Sequence, residues 1–335
     1  MLLRVFSVIL VTCLSAHGQS TSESTRSRFL KIIERPRVPL DPELRVGRAS
    51  RGLIATHFTF ASEKGERVPG IIIRPEKAAG RRPVVILLHG TGGSKEGLLD
   101  IAGEFVSRGF VAVTIDGRYH GERSKTGYDD AILRAYITGK EHPFLYDTVW
   151  DVMRLIDYLE TRDDVDPKRI GLIGISKGGM ETYLAAATDP RIAVAIPCIS
   201  VQSFRWALDN NAWQARVGTI YPAVEGAARN GRATLNAEFV RTFYDRVVPG
   251  IYSTFDGPAM LPLIAPRPLM VINGDSDSLT PLPGVMLAAN SASEAYAKAG
   301  AKERFVLKVQ RNTGHSVNDD SLRAAIDWFV SWLKP

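Results

Sequence analysis

The chain has 335 residues, of which 45% are hydrophobic and 23% charged, and its formal net charge is +6. This composition is that of a soluble globular protein, and the length allows one large α/β domain or two ordinary ones. Basic residues are scattered among acidic ones without a long run, so neither a nucleic-acid partner nor a stable membrane association is expected.

Residues 1–18 have the pattern of a signal peptide. One early basic residue, Arg4, precedes an apolar stretch over 5–14, and small residues follow up to Gly18. We expect cleavage after Gly18, because the segment is too short to remain as a permanent anchor. The protein is therefore predicted to be secreted or periplasmic, with lipidation at Cys13 as the weaker alternative.

Residues 19–54 are predicted to form an N-terminal leader and a surface segment. The stretch 19–28 is rich in Ser and Thr and lacks apolar periodicity, which predicts disorder. The following residues contain several prolines and lead to two β-like runs, 56–60 and 67–74, whose polar connection predicts a hairpin.

Apolar, β-branched runs alternate with helical patterns from residue 83 onwards. The strand-like runs cover 84–88, 110–115, 170–175, 192–196, 269–272 and 305–309, and the helical candidates cover 96–108, 146–161, 177–188, 284–299 and 320–333. This alternation favours an α/β fold with a mostly parallel sheet covered by helices on both faces. With the hairpin, about eight strands are predicted in a domain over 55–335.

The alternation is interrupted at about 200–266 by a segment rich in Trp, Tyr, Arg and Asn. A structureless loop of this length is unusual in a compact domain, so we predict a helical cap insertion. Trp206 and Trp213 are candidates for the lining of a substrate pocket, although packing of the cap onto the body would explain them equally well.

Ser176 is the candidate nucleophile. It lies in Gly174-Ile-Ser-Lys-Gly178, between a strand-like run and a helix-like run. The G-x-S-x-G pattern in this setting is typical of a sharp strand-to-helix turn that exposes the serine hydroxyl, with small neighbours keeping other side chains away.

A serine nucleophile needs a base and an acid that orients the base. His315 follows the last predicted strand, at the sheet edge where Ser176 emerges, and the order Ser, Asp, His is the expected one. Asp275 and Asp277 both follow the preceding strand. We prefer Asp277 as the acid and expect Asp275 to shape the turn.

The oxyanion of an acyl-transfer reaction needs preorganised donors. We assign them to the backbone N–H groups of Lys177, directly after the nucleophile, and of Thr91, in the turn after the 84–88 strand. His89 is expected to brace that turn. A metal site at His89 and His120 is not predicted, because no acidic ligand with suitable spacing accompanies them, and no cofactor is expected.

Together these motifs resemble the α/β-hydrolase superfamily over residues 56–335. The resemblance is carried by His-Gly-Thr-Gly-Gly at 89–93, Gly-Ile-Ser-Lys-Gly-Gly at 174–179, Gly-Asp-Ser-Asp at 274–277 with Pro281, and Gly-His at 314–315. The stretches 116–123 and 265–268 are similar to secreted bacterial esterases of the acetyl xylan esterase and dienelactone hydrolase-like groups.

This resemblance implies an eight-stranded α/β-hydrolase fold and cofactor-free hydrolysis through a serine acyl-enzyme, and makes Arg118 and His120 candidate substrate contacts. Dienelactone hydrolases use cysteine where this chain has Ser176, so their specific reaction is not expected.

The sequence therefore predicts a secreted serine hydrolase that cleaves carboxylic esters of a small molecule or a carbohydrate. A prolyl oligopeptidase-like peptidase is the nearest alternative, but the chain has too few residues before the hydrolase domain to supply the N-terminal propeller those enzymes usually carry. A catalytically silent hydrolase-fold binding protein is the alternative from another class. The oligomeric state is left open.

Overall fold

The computed structural model describes residues 16–47, 50, 52–77, 80–141 and 145–335, with side chains described from residue 25 onwards. Except for its last three residues, the predicted signal peptide lies outside this part of the chain. None of the helices in the described part is both long enough and apolar enough to cross a membrane.

One nine-stranded sheet forms the centre of the molecule, in the order β1-β2-β3-β5-β4-β6-β7-β8-β9. The strands are β1 (Glu43–Val46), β2 (Leu53–Glu63), β3 (Glu66–Pro75), β4 (Arg82–Leu88), β5 (Val111–Ile115), β6 (Val165–Ile175), β7 (Ile192–Cys198), β8 (Leu269–Gly274) and β9 (Phe305–Gln310). The pairs among β1, β2, β3 and β5 are antiparallel, and those from β5 through β4 to β9 are parallel. The predicted α/β-hydrolase fold is confirmed.

Helices cover the sheet on both faces. They are α1 (Ala16–Ile33), α2 (Leu99–Ser107), α3 (Tyr128–Thr138), α4 (Tyr146–Glu160), α5 (Lys177–Thr188), α6 (Phe204–Asp209), α7 (Gln214–Val217), α8 (Tyr221–Asn230), α9 (Ala237–Val247), α10 (Gly257–Met260), α11 (Leu282–Lys298) and α12 (Asp319–Leu333). Short 3-10 helices lie at Glu96–Leu98, Gly121–Arg123, Leu261–Ile264 and Lys302–Arg304.

The central strands are apolar on both sides because each side contacts its own core. In β4, the side chains of Val84 and Ile86 belong to one hydrophobic cluster, and those of Val85 and Leu87 belong to the cluster on the opposite face. This is why β4 appears in the sequence as a continuous apolar run rather than an alternating one.

The predicted count of eight strands was one too low. The additional strand, β1, pairs with β2 at the sheet edge, and all four of its residues are exposed. A short exposed strand has no apolar alternation, so the hydrophobic pattern that revealed the other strands was absent here.

The prediction of disorder over 19–28 was wrong, because this stretch belongs to α1. The helix is attached to the body near its end: Phe29 and Ile33 are fully buried, and the Arg26 guanidinium donates hydrogen bonds to the carbonyl oxygens of Ala187 and Leu263, both at 2.9 Å. These contacts join residues that are far apart in the sequence, so the pattern of apolar residues within 19–28 does not indicate them.

The segment predicted as a cap contains helices α6 to α10, between β7 and β8. Its two ends are joined by Asp256, whose carboxylate accepts hydrogen bonds from the Ser203 hydroxyl and the Phe204 amide, both at 2.7 Å. On α9, the Phe243 ring stacks on Tyr136 of α3 with centroids 5.2 Å apart. The cap helices therefore pack against the body of the domain.

Candidate active site

Ser176 lies between the end of β6 and the start of α5, with φ 56° and ψ −116°. A positive φ is unfavourable for a residue with a Cβ and costs on the order of 1–3 kcal/mol. Two backbone hydrogen bonds hold this conformation: the Ser176 amide donates to the Cys198 carbonyl at 2.9 Å, and the Met180 amide donates to the Ser176 carbonyl at 3.0 Å.

The glycines on either side of Ser176 allow the backbone segments to approach closely. A Cβ on Gly174 would lie 2.1 Å from the Gly178 carbonyl oxygen, and a Cβ on Gly178 would lie 2.4 Å from the Leu88 carbonyl oxygen. Both contacts are with backbone, which cannot rotate away as a side chain could. Glycine is therefore required at both positions for the turn to lie against β4.

The structure brings Ser176, His315 and Asp277 together. His315 Nε2 lies 2.8 Å from Ser176 Oγ, and His315 Nδ1 lies 2.8 Å from Asp277 Oδ2. The carboxylate fixes the ring with its proton on Nδ1, which leaves Nε2 as the acceptor for the serine hydroxyl proton.

Asp277 is buried and held by several donors. Its Oδ1 accepts from the amides of Leu279 at 2.9 Å and Thr280 at 3.1 Å, and its Oδ2 accepts from the Thr280 hydroxyl at 2.6 Å. Burial alone would raise the pKa of this carboxyl, but the hydrogen bonds from His315 and Thr280 outweigh it and keep the pKa below its ordinary value. The group is therefore a carboxylate at neutral pH.

Asp275 does not contact His315. Its carboxylate accepts hydrogen bonds from the backbone amides of Asn312 at 3.0 Å and Thr313 at 3.2 Å, and from the Ser276 hydroxyl at 2.9 Å. It thus stabilises the loop that leads to His315.

The two residues predicted to supply oxyanion donors lie on elements next to Ser176. Lys177 is the first residue of α5, where backbone N–H groups have no partner within the helix. Thr91 follows Gly90 in the turn after β4, and a Cβ on Gly90 would lie 3.4 Å from Ser176 Cβ and 4.0 Å from its Oγ. Both backbones therefore approach the nucleophile.

His89 braces this turn, as its position suggested. Its Nε2 accepts from the Gly117 amide at 3.0 Å, so the proton lies on Nδ1, which donates to the Gly90 carbonyl at 2.8 Å. Burial, and then the positive charge of Lys177, lower the pKa of His89 to about 4. The ring is therefore neutral at pH 7.

A buried ion pair fixes the other end of the same loop. Asp116 Oδ2 accepts from Lys95 Nζ at 2.8 Å, Asp116 Oδ1 accepts from the Lys95 amide at 2.8 Å, and the Glu122 amide donates to Asp116 Oδ2 at 3.0 Å. Lys95 and Asp116 are almost fully buried. The loops after β4 and β5 are therefore joined beside Ser176.

The Lys177 side chain points away from solvent into the body of the domain. Its Nζ lies 2.6 Å from Glu181 Oε1, one helical turn further along α5, and both side chains are 1% exposed. Lys177 therefore has a fixed side-chain partner.

Ser176 and His315 line a cavity of about 20 Å³ below the cap. Its other lining residues are Met180, Ile199, Ser200, Gln202, Ala215, Arg216, Thr219, Tyr244, Leu279 and Thr280. A separate apolar cavity of about 170 Å³, between β4, β6 and α12, also reaches His315.

The four residues predicted as possible pocket residues, Arg118, His120, Trp206 and Trp213, are not among the residues that line the cavity at Ser176. Arg118 is bound by Asp151 and Glu63 and lines a different cavity of about 750 Å³. His120 is buried with its ring 4.4 Å from that of Tyr128, centroid to centroid.

Trp206 and Trp213 make packing contacts between the cap and the body of the domain. A Cβ on Gly284 would lie 3.2 Å from the Trp206 ring, so this side chain lies against the start of α11. Trp213 packs against the large hydrophobic cluster. Large aromatic side chains bury the most apolar area, and here that area is used between the cap and the body.

Sequence reasoning missed the polar residues of the cavity. Ser200 and Gln202 follow the buried strand β7 and could have been found as polar residues at the carboxyl end of a strand. Arg216 comes from a four-residue helix of the cap, and no sequence pattern connects it with Ser176.

The chain is similar to a known protein family and to several known proteins. A family model described as "Glucuronyl esterase, fungi" matches residues 62–300. A Bacillus subtilis protein, YtaP, is 27% identical over 281 residues, which cover 80% of this chain and 84% of that protein. A 4-O-methyl-glucuronoyl methylesterase of Sodiomyces alcalophilus is 33% identical over 190 residues, which cover 54% of this chain and only 36% of that protein.

Among solved structures, acetyl xylan esterase 1 from Thermoanaerobacterium has the same fold, with a TM-score of 0.70 over 93% of both chains at 18% identity. The family match covers more than half of the chain and includes the nucleophile turn and the acid loop. The chain therefore belongs to the glucuronyl esterase family and is a carboxylic ester hydrolase.

Proposed function

We propose that this esterase acts through a Ser176–His315–Asp277 triad and a covalent acyl-enzyme. The observation that carries the proposal is the continuous hydrogen-bond chain from Ser176 Oγ through both ring nitrogens of His315 to Asp277, with both links at 2.8 Å. This is the arrangement in which a base removes the proton of a serine nucleophile.

Each residue has a defined part in the proposed reaction. Ser176 Oγ attacks the carbonyl carbon while its proton passes to His315 Nε2, and His315 then gives the proton to the departing alcohol. Water attacks the acyl-enzyme in the same way, His315 accepts its proton, and the acid is released while the proton returns to Ser176. Asp277 stays ionised and stabilises the imidazolium.

The negative charge of each tetrahedral intermediate falls on the former carbonyl oxygen. We propose the backbone amides of Lys177 and Thr91 as its donors, supported by the position of both segments beside Ser176. A donor of this kind typically lowers the activation free energy by about 2.7–4 kcal/mol.

The substrate class we propose is an ester of a sugar acid or of a sugar. The first follows from the family match and from the methylesterase relative, and the second from the acetyl xylan esterase that shares the fold. The two classes differ in which side of the ester carries the sugar.

Kinetics on matched substrates would test the proposal. The protein should hydrolyse methyl glucuronate or acetylated xylose, beside 4-nitrophenyl acetate as a reporter ester, and Ser176→Ala should lose these activities together. Arg229→Met, an exposed change on α8, serves as the matched control. Turnover unaffected by Ser176→Ala would contradict the triad, and cleavage of peptides but not esters would favour the peptidase alternative.

We also propose export with cleavage after Gly18. In this proposal Phe29 and Ile33 stay with the mature protein and keep the end of α1 attached to the body. Amino-terminal sequencing of protein recovered outside the cytoplasm should begin at Gln19, whereas an unprocessed chain confined to the cytoplasm would contradict the proposal.

A further inference from the structure

Three buried polar side chains in the Ser176 cavity have atoms without a hydrogen-bond partner among the described residues. They are Ser200, with its hydroxyl oxygen, Gln202, with both its amide oxygen and nitrogen, and Arg216, with its Nε. Ser200 and Gln202 are 1% exposed and Arg216 is 6% exposed. All three belong to the lining of the cavity that contains the nucleophile.

Buried polar groups without partners are uncommon, because each costs on the order of 1–3 kcal/mol. Ser200, Gln202 and Arg216 line the same cavity, beside Ser176 and His315. A cluster of this kind is expected where a ligand supplies the missing partners.

Arg216 brings a positive charge to the cluster. Its guanidinium donates to the Leu279 carbonyl oxygen and lies over the Phe204 ring, with 4.8 Å between the guanidinium carbon and the ring centroid. The charges of Asp256 and Asp277 act on Arg216, but among the described residues no carboxylate lies within ion-pair distance of it. Burial lowers the pKa of Arg216 to about 10, which still leaves it charged at neutral pH.

The nearest acidic groups already have other donors. Asp277 accepts from His315, Leu279 and Thr280, as described above. Asp256 accepts from the Ser203 hydroxyl and from the amides at the ends of the cap insertion. Both carboxylates act on Arg216 without an ion pair, so an anion in the cavity would be the direct partner of its guanidinium.

The cavity at Ser176 has room for the polar end of a ligand. Its volume of about 20 Å³ exceeds the roughly 10–15 Å³ that one water molecule needs, and it is partly open, so the rest of a substrate can lie outside it. A carboxylate, with two acceptor oxygens, matches the donors of a guanidinium such as that of Arg216.

We propose that Arg216, Gln202 and Ser200 form a subsite for a free carboxylate on the substrate, a short distance from the ester that Ser176 attacks. The preferred substrates are then esters that carry a free carboxylate close to the ester group, for which half-esters of short dicarboxylic acids are the simplest probes. This inference rests on the proposed function of Ser176, and it adds a charge requirement that neither the family match nor the relatives provide.

The test compares esters that differ in charge but not in shape. Monomethyl malonate, succinate and glutarate are each paired with the neutral methyl ketone ester of the same length: methyl 3-oxobutanoate, 4-oxopentanoate and 5-oxohexanoate. Methanol release gives kcat/KM, normalised to the rate of hydroxide hydrolysis of each ester. At least one anionic ester should be preferred about 10- to 100-fold over its neutral partner, the range expected for hydrogen bonds to a charged group.

Variants assign that preference to the subsite. Arg216→Met and Gln202→Met should each reduce the ratio of anionic to neutral turnover, and Arg216→Lys should retain part of it, while Arg229→Met should leave it unchanged. Because Arg216 also bonds the loop of Asp277, the ratio is the readout rather than the absolute rate. Equal turnover of all pairs in the unaltered protein, or a ratio unchanged in Arg216→Met, would overturn the proposal.

A binding measurement separates failure of this inference from failure of the triad. Ser176→Ala should bind monomethyl succinate more tightly than methyl 4-oxopentanoate in isothermal titration calorimetry, and Arg216→Met in that background should abolish the difference. Ser176-dependent ester hydrolysis without any anion preference would refute the subsite alone. Anion binding without Ser176-dependent hydrolysis would refute the triad and leave the subsite standing.

Discussion

Ser176 owes its accessibility to a backbone conformation that a residue with a Cβ adopts only under constraint. The Cys198 carbonyl accepts its amide, Gly174 and Gly178 allow close backbone approach, and His315 holds its hydroxyl. At the scale of the residue, the site is therefore preorganised in the free protein.

Asp277 and Asp275 offer a test within this site, because they are two residues apart but have different partners. Asp277→Asn should reduce kcat/KM for 4-nitrophenyl acetate about 10³- to 10⁴-fold, since the amide no longer holds the His315 ring in the required tautomer. Asp275→Asn should have a much smaller effect on the same measurement, because its carboxylate accepts hydrogen bonds from Ser276, Asn312 and Thr313 and not from His315. A larger loss in Asp275→Asn than in Asp277→Asn would reverse the assignment of the acid.

At the scale of the element, function depends on how closely α5 lies against β4. The Gly178 backbone lies so near the Leu88 carbonyl that no Cβ fits between them. The Lys177–Glu181 ion pair lies within α5, and the Lys95–Asp116 ion pair joins the loop after β4 to the loop after β5. Such buried pairs contribute more to a defined geometry than to net stability.

Replacement of Gly178 by alanine should therefore separate these two elements. We expect a decrease of roughly 1–3 kcal/mol in the free energy of unfolding, measured by urea titration, together with a loss of esterase activity. Gly103→Ala is the matched control: it lies in α2, and nothing is within 4 Å of the added Cβ. That variant should be as stable as the original or more stable by up to about 1 kcal/mol. Equal stability of the two variants would show that the close approach is not required.

The elements that the sequence revealed are those with a strong local pattern. The buried parallel strands and the Gly174–Gly178 turn carry that pattern in their own residues, as do the loops of Asp277 and His315. In contrast, α1 is held by distant carbonyls, β1 by pairing at an exposed edge, and Arg216 reaches the cavity only through the packing of the cap. The sequence left the aromatic residues of the cap open between pocket lining and packing, because hydrophobic composition does not distinguish packing from ligand binding.

At the scale of the whole molecule, stability should depend on pH through two buried histidines. Burial lowers the pKa of His89 to about 4 and that of His120 to about 3, from an ordinary value of 6.5. The unfolded chain therefore binds these protons more readily than the folded protein. The contribution of the two neutral histidines to the free energy of unfolding is fully present above pH 6.5. It is lost as the pH decreases towards the folded-state pKa values of about 4 and 3.

His120→Phe should remove one of these two contributions. When the pH is lowered from 7 to 5, the free energy of unfolding of the variant should decrease by roughly 1–2 kcal/mol less than that of the unaltered protein. The reason is that the variant has no imidazole at position 120 to protonate on unfolding. Urea titrations at both pH values measure the difference. Parallel pH dependences for the two proteins would show that His120 is not held neutral by the fold.

The central claim is that Ser176 is the nucleophile, and covalent labelling tests it most directly. A fluorophosphonate probe should modify the native protein once, with the added mass on the peptide that contains Ser176, and the label should be absent in Ser176→Ala. Because His315 is proposed to activate the hydroxyl, His315→Gln should be labelled far more slowly. A native protein that is not labelled, or that is labelled on another residue while Ser176 remains free, would contradict the account.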